Sequence, residues 1–279
     1  MHSGTDSPKN IPAALAGLDA ALWRAALTSE WRQHEKNGTF GPPIDPKDLP
    51  PGVRPILLDC VLKMKRDFTL KVRGIICMKG FHMTEGVDYN ETFAPVPYVS
   101  ILHIFLAFAA KFDWEIKQGD VRTAFLCSDM DTVVHAAVPN WFRADANGTE
   151  TGYTIRRLLK GVPGIPQGPR LFHKKSHGIY TGLGLQQCKS EFCLYFCTKR
   201  QLFLIVWVDD QFLFFPKQSH AAAKTLWSGL QDKLDLDDWQ DIDEHVSMSS
   251  RVPGRVASSD HDRKVNAVRL PPLTECSSS

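Results

Sequence analysis

The sequence predicts a mixed α+β fold, on three observations. Leu202 to Phe215, LFLIVWVDDQFLFF, reads as an apolar strand, an acidic tip and an apolar return strand: a β-hairpin. Stretches with helical spacing of apolar residues surround it, among them Tyr98–Lys111, Arg170–Gly182 and Ala221–Leu234. A chain of 279 residues is long enough for one large core or two lobes.

Taken in order, residues 1–12 read as a disordered leader, residues 13–248 as one domain, and residues 249–279 as a polar, Pro- and Ser-containing disordered tail. Ala13–Lys36 has the pattern of a single helix, with Leu15, Leu18, Leu22, Ala26 and Leu27 as its apolar positions. Pro42–Pro55 is Pro-rich and extended. Ile56–Met64 and Lys71–Met78 read as two strands turned around Arg66-Asp67. Trp114, Ile116 and Gln118 alternate with charged residues, as in a half-exposed strand. Gly119 breaks that pattern, and Val121–Leu126 reads as a short helical turn. Glu191–Lys199 is a strand leading into the acidic hairpin.

Net charge is only +2, so the overall balance does not announce a nucleic-acid partner. The distribution is polarised. Between residues 151 and 206 nine lysines and arginines face one acid, Glu191, whereas from residue 207 to residue 245 three lysines face nine acids. A basic segment beside an acidic one suits a groove that tracks a phosphate backbone; a solvated helix face is the plain alternative. The seven cysteines form no C-x-x-C pair, and Cys193 and Cys197 read as small core residues. His173 and His177 have metal-pair spacing with no third ligand nearby, which points to a surface helix. No apolar leader and no run of about 18 apolar residues is present, which predicts an intracellular protein, cytoplasmic or nuclear and not secreted. The N-x-T sequons at Asn37, Asn90 and Asn147 are then chance matches.

The chemistry sits in the acids. Asp209 and Asp210 are adjacent at a hairpin tip, where like charges repel and a divalent cation is the usual remedy. Neighbouring side chains on a strand point to opposite faces, so one of the two is the principal ligand. Asp120, at a strand end, supplies a third carboxylate. Three carboxylates of this kind equip a chain for phosphoryl transfer with two metal ions. Each has a plainer reading: Asp209 and Asp210 as turn residues, Asp120 as a helix start.

Five motifs occur in a fixed order: EGVDYNETFAPV (Glu85–Val96), QGDVRTAFL (Gln118–Leu126), PQGPRLFHKK (Pro166–Lys175), KSEFCLYF (Lys189–Phe196) and WVDD (Trp207–Asp210). Together with Trp23, Ala26, Glu30, Asn37 and Thr39 near the start, this set resembles the reverse transcriptase of Ty1/copia-type retrotransposons, from about Leu22 to His245. The resemblance implies the fingers and palm of a right-hand polymerase, with an antiparallel palm sheet and packed helices, and a thumb that is missing or truncated. It implies an RNA-directed DNA polymerase that uses two Mg²⁺ or Mn²⁺ ions, a template-primer of RNA or DNA, and deoxynucleoside triphosphates. Other products of a retrotransposon polyprotein would be its partners.

The resemblance also assigns residues. Asp120 and Asp209 would bridge both ions, with Asp210 supporting them or ligating the primer-side ion. Lys71 and Arg73 would lie over the triphosphate, where a guanidinium fork and an ammonium point charge suit phosphate oxygens. Phe125 would exclude a 2′-hydroxyl by its bulk. Gln167 would touch the nucleotide near its sugar, and Arg170 would orient that loop or meet template phosphate.

The chain departs from the family pattern at Val162–Pro166, where two prolines stiffen the loop before Gln167, and at Cys127-Ser128, where an Asn-Gly turn is usual. Val134-His135-Ala136 lacks a core aromatic, and Trp207 stands where tyrosine is common. With no segment resembling an RNase H, integrase or protease, the chain reads as an isolated, truncated or degenerate copy. Two alternatives stay open: a non-catalytic remnant that binds nucleic acid or a partner, and a metal-dependent nuclease. The second leaves Lys71, Arg73, Phe125 and Gln167 without a joint explanation.

Overall fold

The computed structural model describes residues 8–64, 72–142 and 152–241. The expected leader and tail lie largely outside these residues, as does Lys71. The chain is α+β, as the sequence predicts, and its strands form two sheets.

The expected first helix is two helices, α1 (Ile11–Ala16) and α2 (Ala20–Lys36). The Asn10 side chain caps α1 by accepting from the Ala13 amide at 2.9 Å, and extended backbone at Gly17 ends it. α2 buries Trp23, Leu27, Trp31 and His34, one face of a helix. That face packs on the first sheet, whose order is β1 (Phe40–Ile44), β6 (Tyr153–Lys160), β5 (Asp129–Pro139), β2 (Ile56–Met64) and β3 (Val72–Met78). The Glu30 carboxylate accepts from the Ile76 amide of β3 at 3.1 Å, and Trp31 stacks on Phe40 and Phe142. β2 and β3 form the expected hairpin, while β2 meets β5 in parallel.

In the second sheet every pairing is antiparallel: β11 (Gln240–Asp241), β4 (Trp114–Asp120), β10 (Asp210–Pro216), β9 (Leu202–Trp207), β8 (Leu194–Cys197) and β7 (Gln186–Gln187). Strand alternation sends its residues to two cores. Ile205, Phe212 and Phe214 pack with Leu102, Phe105 and Ala109 of α3 (Val99–Phe112). Leu204, Val206, Leu213 and Phe215 pack with α4 (Gly168–Gly182) and α5 (His220–Gln231). The sheet is therefore a filling between helices, which explains why β9 and β10 are apolar on both faces.

Gly119 does not break β4, which continues through it to Asp120. A Cβ built on Gly119 would stand 2.6 Å from Cζ2 of Trp227, so glycine is needed there because α5 presses an indole against the strand. Val121–Leu126 is a turn followed by a short 3₁₀ segment, Phe125–Cys127.

Candidate active site

β4 enters at Trp114 and ends at Asp120; β10 leaves from Asp210 and runs back beside it. Their register seats Asp120 directly opposite Asp210. Opposed residues of an antiparallel pair share a face, with Cβ atoms about 4.5–5.5 Å apart, and like charges so placed destabilise the sheet. Asp209 occupies the two-residue turn between Trp207 and Asp210, and its carbonyl accepts from the Val121 amide at 2.9 Å. All three aspartates are half-buried. The family resemblance implies a bridging role for Asp120 and Asp209; in the register Asp120 and Asp210 are the opposed pair, with Asp209 at the tip.

The turn is strained. Val208 has φ 57°, a left-handed conformation that β-branched residues rarely adopt. Behind it, Gln211 is fully buried and its side-chain oxygen accepts from the Tyr180 hydroxyl of α4 at 2.8 Å. Burial pushes the Tyr180 hydroxyl well above the ordinary tyrosine range, so it stays a donor.

The segment after α5 folds back over the end of β4. The Asp237 amide donates to the Asp120 carbonyl at 3.0 Å, and the Arg122 amide to the Asp235 carbonyl at 2.9 Å. The Asp237 carbonyl accepts from the Trp227 indole at 3.1 Å, and its carboxylate pairs with Arg122. Trp239 stacks on Phe215 while Lys117 lies over its ring and pairs with Asp241. Sequence reasoning took this acidic run as part of the charge balance and missed the strap. Leu236 and Trp239, apolar within an acidic stretch, were the available signal.

The remaining assigned residues divide. Phe125 is half-buried beside α4, close enough that a Cβ on Gly168 would meet its ring at 3.4 Å. Gln167 is fully buried; its amide donates to the Asp88 carbonyl at 3.3 Å and approaches the Thr132 hydroxyl at 3.5 Å. Arg170 donates to the Glu91 carbonyl at 2.9 Å and pairs with Asp131. Both side chains thus bind the EGVDYNET loop to α4. That loop is itself closed by Asp88, whose carboxylate accepts from the Thr84 amide at 2.7 Å. The two-proline loop is seated against β3: the Met78 amide donates to the Pro163 carbonyl at 2.8 Å, and Gly164 takes φ 92° there. The backbone of Arg73 is on β3 opposite Lys63. In KSEFCLYF, Glu191 is buried and accepts from the Tyr98 and Cys193 amides, each at 3.1 Å. Cys193 is buried, as expected, and His177 meets the Tyr195 hydroxyl at 3.1 Å rather than a metal set.

Among the described residues no group of three or more His, Cys, Asp and Glu side chains is gathered as a ready metal cage. The donor set nonetheless fits a hard divalent cation: two carboxylates face each other across a ladder and a third stands in the adjoining turn.

The chain is thus a two-sheet α+β protein with three aspartates where a central hairpin meets its neighbouring strand. A sequence model of the family described as reverse transcriptase (RNA-dependent DNA polymerase) matches residues 45–255, and the chain belongs to that family. It is 27 % identical over 244 residues to the retrovirus-related Pol polyprotein from transposon TNT 1-94 of Nicotiana tabacum, covering 85 % of this chain and 18 % of that protein. It is 28 % identical over 202 residues to the Pol polyprotein from transposon RE2 of Arabidopsis thaliana (71 % of this chain, 13 % of that protein). The transposon RE1 polyprotein of the same plant is 27 % identical over 206 residues, with 71 % and 13 % coverage. The Ty1/copia-type resemblance read from the motifs therefore holds, and the chain spans less than a fifth of each of these relatives. No helix among the described residues is long and apolar enough to cross a membrane.

Proposed function

We propose that this chain is an RNA-directed DNA polymerase domain that joins a deoxynucleotide to a primer 3′-hydroxyl. The observation that carries the reading is the register that opposes Asp120 and Asp210 and sets Asp209 in the turn beside them, in a chain of this family. Asp120, Asp209 and Asp210 would hold two Mg²⁺ or Mn²⁺ ions. When bound, such ions lower the pKa of the attacking hydroxyl and neutralise charge on the triphosphate and leaving pyrophosphate.

The chain's own residues do the rest. Gly119, pressed by Trp227, and the Asp237 amide on the Asp120 carbonyl fix the height of the Asp120 backbone. Phe125 would stand beneath the sugar and clash with a 2′-hydroxyl. By the family resemblance Lys71, which lies outside the described residues, and Arg73 would meet the triphosphate, and the first sheet would then be the fingers and the second the palm. Gln167 and Arg170 act through the EGVDYNET loop, holding it on α4 beside Phe125; a sugar contact by Gln167 requires that loop to part. A second reading, a non-catalytic nucleic-acid-binding remnant, draws on one observation: the carboxylates are not gathered into a cage.

Primer extension on an RNA template with deoxynucleotides and Mg²⁺ or Mn²⁺, comparing the chain with Asp209→Asn, decides between them. Extension that disappears in the variant supports the polymerase. Equal duplex binding by both proteins with no extension by either supports the remnant.

A further inference from the structure

We propose that the outward face of α2, a helix packed on the first sheet whereas the aspartates belong to the second, is a docking surface for the sugar–phosphate backbone of a duplex nucleic acid. The choice of polymer rests on the polymerase reading, since a template-primer is what such a chain would meet.

α2 turns Trp23, Leu27, Trp31 and His34 inward. The opposite face carries Arg24, Thr28, Arg32 and Lys36 in one row at four-residue spacing, with Ala25, Ser29 and Gln33 alongside. Arg24, Arg32 and Lys36 are exposed, and none of them forms an ion pair among the described residues. Lys79, Lys117, Arg122, Lys160, Arg170 and Lys217 each have an acidic partner, whereas Lys111, Lys224 and Lys233 are exposed without one among the described residues, so it is the alignment on one helix face that sets the row apart. The helix also carries two glutamates outside the row: Glu30 accepts from the Ile76 amide at 3.1 Å, and the exposed Glu35, on the flank of the row, from the Trp31 indole at 2.9 Å, each from a neutral N–H rather than from a cation of the row. An open groove of about 660 Å³ follows the same face.

The spacing suits a polyanion. Arg24 to Lys36 is twelve residues, roughly 18 Å of helix. Because a strand winds round the duplex as it advances, a straight row of this length follows only a few consecutive phosphates, enough for its three cations. Arg32 and Lys36 lie one turn apart, and Thr28, Ser29 and Gln33 supply neutral donors between the cations. The small Ala21 and Ala25 side chains leave a backbone room to approach.

The test is binding of an RNA–DNA hybrid by fluorescence anisotropy, without divalent ions, across about 50 to 200 mM salt. The proteins are the full chain, the triple variant Arg24→Gln, Arg32→Gln, Lys36→Gln, and a control with Lys111, Lys224 and Lys233 each changed to Gln. Glutamine keeps the helix, which circular dichroism checks. The row variant should have a log–log salt slope shallower by about 2 to 3 and bind at least tenfold more weakly, while the control keeps the native slope. A second variant, Arg24→Lys with Arg32→Lys, should also keep it, because charge rather than fork geometry carries the contact. Native slopes in the row variant, or an equal loss in the control, would overturn the proposal. Loss of slope in a chain that extends no primer overturns the polymerase reading alone. Primer extension with equal slopes in both forms overturns the α2 surface alone.

Discussion

The two ends of the β4–β10 ladder are built from the same pair of strands and differ in almost every other respect. At one end Phe214 faces Ile116 and Pro216 faces Trp114, apolar side chains enter the α3 core, and the Lys217–Asp113 ion pair and the His220–Glu115 contact at 3.0 Å lie outside. At the other end Asp210 faces Asp120, Val208 takes a left-handed turn, and a returning strap pins the strand end through Asp237. The first end is arranged as any sheet would be for stability. The second gathers like charges and backbone strain, costs that a fold retains where they serve a purpose. The difference is what places the proposed site at the Asp120 end of the ladder.

The comparison breaks first if the acids are removed. Asp120→Asn should lower primer extension by on the order of 10²–10³-fold, the scale for losing one preorganised electrostatic group. The same change should raise stability in metal-free buffer by about 0.2–1 kcal/mol, because it removes a like-charge pair across the ladder. Extension rates and urea midpoints moving in opposite directions would bear this out; parallel loss of both would make Asp120 an ordinary structural residue.

Next in size is the contact that presses on the acidic end from behind. Gly119→Ala should destabilise the chain by about 1–3 kcal/mol, since the new methyl meets a buried indole. Adding Trp227→Phe should recover part of that loss in a double-mutant cycle. Additive costs would mean that the indole is not what requires glycine.

Tyr180→Phe should cost about 1–3 kcal/mol by leaving the Gln211 amide oxygen buried without its donor. Thermal unfolding measures this, and Tyr180→Leu should cost more because it also opens a cavity.

The smallest effect is on pH. Burial lowers the His173 pKa below its ordinary 6.5, and burial with the nearby Arg157 charge lowers that of His135. For a base whose folded pKa is depressed, the unfolded chain binds more protons just below the ordinary value. Stability should therefore fall as pH drops through 6.5 and level off once both folded-state values are passed. Urea unfolding at pH 7.5 and 5.5 should show that loss, and His173→Gln should reduce it.

Much of this arrangement was legible in the residues. The hairpin at Leu202–Phe215, the strand ending at Asp120 and the helices α3, α4 and α5 follow from apolar spacing and turn chemistry, which are local properties. The motifs imply a nucleotide contact for Gln167 and a loop or template-phosphate contact for Arg170, but they could not show that the two side chains hold the Asp88 and Glu91 backbone. Gly119 reads locally as a break and is instead a strand residue, because the reason for glycine is an indole more than one hundred positions away.

The chain by itself determined the strands β2, β3, β4, β9 and β10, the helices α3, α4 and α5, and which residues could carry charge chemistry, because periodicity and side-chain type are written along it. Only the tertiary structure decided that Asp120 is opposite Asp210 rather than Asp209, that Asp237 anchors the Asp120 carbonyl, and that Glu191 caps the entry to α3. Those are register and return-path questions. Between segments far apart in sequence, many registers satisfy the same local pattern, and packing against α3, α4 and α5 selects one.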